Sequence, residues 1–389
     1  NQTRGVSVKT RKAVLRLRAE VLERFADELA AAKDPTTRRT GDAAANHRKK
    51  AQPEGPPAAR AEHERSTGAN LPDLDELAIH LVPPRGKRGP AGAVASTVRA
   101  LLGLDELPDS EEDWPAAATV ARHVGVSASA VSNSLQKARA HWTSSPELAA
   151  VAADVLELLA ERGGVAGVSE LVDPLVEHRG SGHDRDTAQR LARGVLRAVV
   201  ESAPSHWFIQ RRHGRRTLLA VNDDAIADSG SEQTALARLD PPTRHLLARF
   251  NAAALLDMAV ALGDRANALV DATTPLVASS DAIEALRSAA GDRASELSDS
   301  RLVRLAAAAS DHTVVNAASD LVYSAAPVVA ALRWSRPALV GSPRLTIEEL
   351  GARVSSRFPT VRLPERPALD EAIAAARLAY EWSEAYGAY

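Results

Sequence analysis

The sequence predicts a mainly α protein built from tandem helix-turn-helix and winged-helix modules with small β-hairpin wings. Three observations carry that expectation. Aromatic residues make up only 3% of the chain, so its cores must be assembled from Leu, Val and Ala, a composition that favours helices. The stretch "VARHVGVSASAVSNSLQKARAHW", Val120 to Trp142, has helix-turn-helix spacing. From Pro146 onward, three helical segments precede a strand, a tight turn and a second strand, which is the winged-helix order.

The chain has 389 residues, room for two to four domains at roughly 100–200 residues each. It does not begin with Met and reads as a fragment of a longer protein. Residues 1–33 are expected to form an N-terminal helix, with Leu15, Leu22, Phe25 and Leu29 at helical spacing. Residues 34–70 lack apolar periodicity and are rich in Pro, Gly, Ala and charge, the composition of a disordered linker. A helix-turn-helix domain is expected over 71–143 and a winged-helix domain over 146–224. A helical connecting domain is expected over 231–318, with Pro241-Pro242 starting a long helix, and a further winged-helix-like domain over 319–389. In the last, Thr346 followed by Glu349 has the pattern of a capping box.

Within the helix-turn-helix, small Ala121 lets two helices approach, Gly125 suits the left-handed turn between them, and Ser127 can cap the second. Val131, Leu135, Ala138 and Trp142 share a face and should be buried. Asn133, Gln136, Lys137 and Arg139 are the candidate DNA contacts: carboxamides can bond adenine, and cations can meet phosphates. The start of this helix, Ala128-Ser129-Ala130, offers little charge or reach, which also fits a plain packing unit.

The winged-helix segment carries more charge. Arg185, Gln189, Arg190, Arg193 and Arg197 lie opposite the apolar face of its third helix, the one such a fold offers to the major groove. Arg211, Arg212, Arg215 and Arg216 surround the turn of the hairpin, where they could reach phosphates or a narrow minor groove. This second module is therefore expected to provide the stronger hold. The opposing possibility is pairing with acids on a solvated surface, for which Asp186 and Glu201 are nearby. Arginines on one continuous face would favour DNA; arginines matched by acids would favour a protein scaffold.

Several chemistries are not expected. The chain has no Cys, which excludes disulfides and thiolate metal sites. His178, His183, His206 and His213 lack zinc-ligand spacing, so neither metal nor cofactor is expected. "RGKRGPAG" does not have phosphate-loop spacing. Neither a nucleophile elbow nor kinase signatures occur, so no catalysis is expected within this chain. No apolar run approaches the ~20 residues that span a bilayer, and a cytoplasmic location fits. The formal net charge of −2 means that nucleic-acid contact must come from local patches.

The run from "LLGLDE" through "DWP" to "ATVARHVGVSASAVSNSLQKARAHW" is similar to region 4 of sigma-70-type factors, departing at Ser134 where Ile is usual. With the terminal "TIEELGARVSSRFPTVRLPERPALDEAI", the succession of elements over 71–389 resembles the C-terminal part of PglW-type proteins of phage growth limitation and BREX defence systems. The resemblance implies a piece of a serine/threonine kinase protein without its kinase domain. Its implied role is docking on double-stranded DNA, largely without sequence preference, or binding other defence-system proteins. The alternatives are a protein-interaction scaffold and a sigma-like transcription regulator.

Overall fold

The computed structural model describes residues 72–83, 91–105, 112–202, 207–228 and 235–389. The helix expected over 1–33 and the linker expected over 34–70 lie outside them. The described residues are mostly helical, with two small antiparallel sheets.

Helix α1 (Leu74–Leu81) is capped by Asp73, which accepts a hydrogen bond from the Glu76 N–H at 2.8 Å. Helices α2 (Ala91–Leu101), α3 (Ala117–Val124) and α4 (Ala128–Trp142) follow, with α3 and α4 joined by a tight turn where the helix-turn-helix spacing lies. Gly125 ends α3 at φ 74°, a region that favours glycine, and the Ser127 hydroxyl accepts from the Ala130 N–H at 3.2 Å to start α4. Ala100, Leu101, Val120, Ala121 and Val131 make a small core of their own. Ser134, where an apolar residue would be usual, is buried and donates to the Ala130 carbonyl at 2.8 Å. At the far end of α4, Trp142 is fully buried in the next module's core and donates its indole N–H to Leu81 O at 2.7 Å.

The next module runs α5 (Pro146–Glu161), β1 (Val165–Gly167), α6 (Val168–Arg179), α7 (Arg185–Ser202), β2 (Phe208–His213) and β3 (Arg216–Val221), with sheet order β1-β3-β2. The strand at 165–167 was not expected, and the helix after it is capped at Gly167.

Short helices α8 (Asp223–Asp228) and α9 (Pro241–Leu247) lead to α10 (Ala252–Leu269). The long helix expected from Pro241 is broken, because Asn251 accepts from the Ala254 N–H at 3.0 Å and starts a new one. Then β4 (Leu276–Val277), α11 (Ser279–Ala290), α12 (Asp299–Ala308), β5 (Thr313–Val315) and β6 (Leu321–Tyr323) repeat the helix–strand–helix–helix–strand–strand order, with sheet order β4-β6-β5. Residues expected to be a helical connector therefore build a second winged helix, and its sheet closes across the boundary expected at 318/319. The segment Leu321–Tyr323 is the central strand, with Val322 opposite both Leu276 and Val314. After β6 the chain forms a helical lobe without the expected wing: α13 (Val328–Trp334), α14 (Arg336–Leu339), α15 (Ile347–Arg357) and α16 (Ala368–Ala375). The capping box at Thr346 and Glu349 is formed, with both reciprocal bonds in place.

Strand alternation explains how the modules join. In β3, Leu219 and Val221 belong to the core of the first winged helix, while Leu218 and Ala220 belong to that of the second. In β6, Leu321 belongs to the second winged helix's core and Val322 to that of the C-terminal lobe. Each small sheet is thus covered on both faces. No single described helix is long and apolar enough to cross a membrane.

Close helix packing makes one glycine informative. A Cβ on Gly263 in α10 would stand 2.8 Å from the Ala309 carbonyl carbon, a backbone atom that cannot swing aside. Alanine normally gains about 0.5–1 kcal/mol over glycine inside a helix, whereas overpacking costs about 1–3 kcal/mol. Gly263→Ala is expected to lower stability by about 1–2 kcal/mol in denaturant unfolding, and an increase would refute this packing argument.

Candidate nucleic-acid interface

The third helix of the first winged helix, α7, has most of its basic side occupied by contacts within the fold, although Arg185 at its start stays exposed. Arg185 and Gln189 both bond to Asp173 of α6, at 2.8 and 2.7 Å. Arg190 is half-buried and reaches the Thr187 hydroxyl at 3.5 Å. Arg193 is half-buried, and its carbonyl accepts from the Trp114 indole at 3.2 Å. Arg197 is only 8% exposed; it donates to Leu101 O and to Pro115 O, with its guanidinium 6.0 Å from the Trp114 ring centroid. Burial pulls its pKa down to about 10. At Gly194 the backbone of Leu102 comes so near that a Cβ would lie 2.7 Å from its carbonyl oxygen. The helix-turn-helix unit roofs the face that a free winged helix would offer to DNA.

The hairpin arginines are committed too. Arg211 pairs with Asp257 of α10 and Arg212 with Glu112. Arg216 donates to Ser310 O at 3.0 Å and lies 3.6 Å from Asp113. Arg215 anchors through its backbone: its N–H donates to Asp311 at 2.6 Å and its carbonyl accepts from the Asp113 N–H at 3.2 Å. His213 lies 3.1 Å from Asp264. Asp113 is the hub of this junction. Burial pushes its carboxyl above the usual range, opposed by the Thr217 N–H that it accepts at 2.8 Å and by Arg216. Arg211, Arg212 and Arg216 are therefore matched by acids, as a scaffold would have them.

The helix-turn-helix is different. Arg139 is drawn to Glu201, but Asn133, Gln136 and Lys137 are exposed and make no hydrogen bond or ion pair with any described residue. The same holds for Arg122 and His123 at the end of α3, which sequence reasoning passed over. A signal for them was available. Asp and Glu number 50 in 389 residues, about one in eight, yet none falls from Pro115 to Pro146. Arg122 and Lys137 consequently have no local carboxylate to neutralise them. Among the described residues, no group of three or more His, Asp or Glu could hold a metal ion.

Fold and site define a mostly helical protein with two small antiparallel sheets, in which the paired helices α3 and α4 present an outward face without acidic residues. The chain is similar to a protein described as "Probable kinase PglW" from Streptomyces coelicolor, with 30% identity over 311 residues, covering 75% of this chain and 19% of that protein. It thus spans about a fifth of the relative's length. No protein-family model matches the chain, and no solved structure matches it.

Proposed function

We propose that this region docks a PglW-like anti-phage defence protein on duplex DNA through α3 and α4, and that its two winged helices serve as framework. The carrying observation is the contrast in commitment. The guanidinium groups of Arg197, Arg211, Arg212 and Arg216 are engaged within the fold, while Arg122, Asn133, Gln136 and Lys137 face outward in a stretch without carboxylates. Helix-turn-helix units contact duplexes in this way, with the second helix in the major groove. The reading assigns no catalysis to this region and places its working environment in the cytoplasm, where DNA is found. With two uncommitted cations, affinity should be weak and mostly electrostatic, falling with salt at a slope of about −0.9 per phosphate neutralised.

Fluorescence anisotropy against salt tests this with the intact chain and a 20-base-pair duplex. The double variant Arg122→Ala/Lys137→Ala is expected to bind about tenfold more weakly at low salt and to have a shallower salt slope. Arg211→Ala should leave binding unchanged. Equal affinity of the double variant and the parent would refute the assignment.

A second reading, a scaffold for other defence-system proteins, is supported by the engagement of α7 and the first wing with protein surfaces. Absence of duplex binding at low salt would transfer the assignment to it.

A further inference from the structure

On α4, Ser129, Ser132, Asn133, Gln136 and Ala140 recur at helical spacing and are all exposed, opposite buried Val131, Ala138 and Trp142. The stripe is neutral throughout. Its serine hydroxyls are turned inward, Ser129 to Ser127 at 2.9 Å and Ser132 to the Ala128 carbonyl at 3.2 Å, which leaves a low surface beside two longer carboxamides. Asn133 and Gln136 are three residues apart, so they stand about 4.5 Å apart along the axis at 1.5 Å per residue, close to the spacing of neighbouring base pairs.

We infer that Asn133 and Gln136 read adenine in the major groove, an inference that rests on the DNA reading above. A carboxamide offers one acceptor and a donor pair, which match adenine N6 and N7 as a bidentate couple. Guanine presents two acceptors there and is suited by Arg or Lys, neither of which occurs on the stripe. Lys137 and Arg122 flank the contact and supply charge without sequence information. Most of the affinity is then electrostatic, and discrimination is added by two side chains.

The test uses the intact chain with three 20-base-pair duplexes: alternating dA·dT, alternating dI·dC and alternating dG·dC. The first two share a minor-groove pattern but differ in the major groove. The dA·dT duplex is expected to bind about fivefold to a hundredfold more tightly than either of the others, the range given by one bidentate contact. Asn133→Ala/Gln136→Ala should abolish that preference and retain weak, salt-dependent binding; both positions are exposed, and an unchanged melting temperature verifies folding. Equal affinity for dA·dT and dI·dC would overturn adenine reading and leave DNA docking standing. A preference that survives in the variant would overturn the residue assignment. Failure to bind any of the duplexes would overturn the docking reading together with this inference.

Discussion

Trp142→Ala is expected to lower stability by about 3–5 kcal/mol, the usual cost of truncating a fully buried aromatic side chain. Trp142 is 1% exposed and packs in the core shared by α1, α4 and α5. Its removal opens a large cavity and strands the Leu81 carbonyl, which loses the indole N–H at 2.7 Å. The damage should extend to function. Trp142 fixes the C-terminal end of the helix that carries Asn133, Gln136 and Lys137, so duplex binding should fade at temperatures the parent tolerates. Trp142→Phe keeps much of the volume and loses the hydrogen bond, and should fall between. Thermal unfolding of the three proteins gives the ranking; a melting temperature for Trp142→Ala within a degree or two of the parent would refute it.

Arg301→Ala is expected to cost about 3 kcal/mol. Arg301 lies on α12, the third helix of the second winged helix, yet its guanidinium points into the first one. It donates to Arg162 O at 3.0 Å, to Val165 O at 2.6 Å and to Glu170 at 2.6 Å. Both side chains of the pair are largely buried, 12% and 14% exposed. Removing one member of such a pair leaves the other charged, desolvated and under-bonded, which is why breaking it costs far more than its net contribution to folding. Glu170 would retain the Gly167 N–H at 3.1 Å, which tempers the loss. Arg301→Lys keeps the charge without the planar fork and should recover only part. In a double-mutant cycle with Glu170→Gln, the combined loss should be smaller than the sum of the single losses. Additive losses would show that the two side chains act independently.

Local features of the helix-turn-helix were legible because their causes are local. The glycine of the turn, the serine cap and the buried face all lie between Ala121 and Trp142, and each forms as the spacing requires except that Leu135, expected to be buried, is only half-buried. The first wing was legible for the same reason, its turn sitting at Gly214 with φ 55°. What the sequence could not show was which charges meet. Arg211 is 46 residues from Asp257, Arg212 is 100 from Glu112, and Arg301 is 131 from Glu170. Such pairs are made by module packing, which no local pattern records. Packing engages Arg197, Arg211, Arg212 and Arg216 within the fold, while Asn133, Gln136 and Lys137 of α4 face outward. Glu201 was visible on α7 itself, but it engages Arg139 of α4. The second winged helix escaped notice because its strands are two or three residues long, too short for period-two alternation to register. Segments such as Leu321–Tyr323 also read as uniformly apolar because neighbouring residues enter different cores.

That two-sided burial changes what a winged helix is in this chain. Opening the layer between β3 and α10 would bare Leu218 and Ala220 on one side and the apolar flank of α10 on the other. Neither winged helix can come away from the other without wetting two surfaces. Regions that melt together form one cooperative unit whatever their architecture. Here the repeat describes shape, whereas stability is held in common, and anything that grips the outward face of α4 draws on the cohesion of the whole stack.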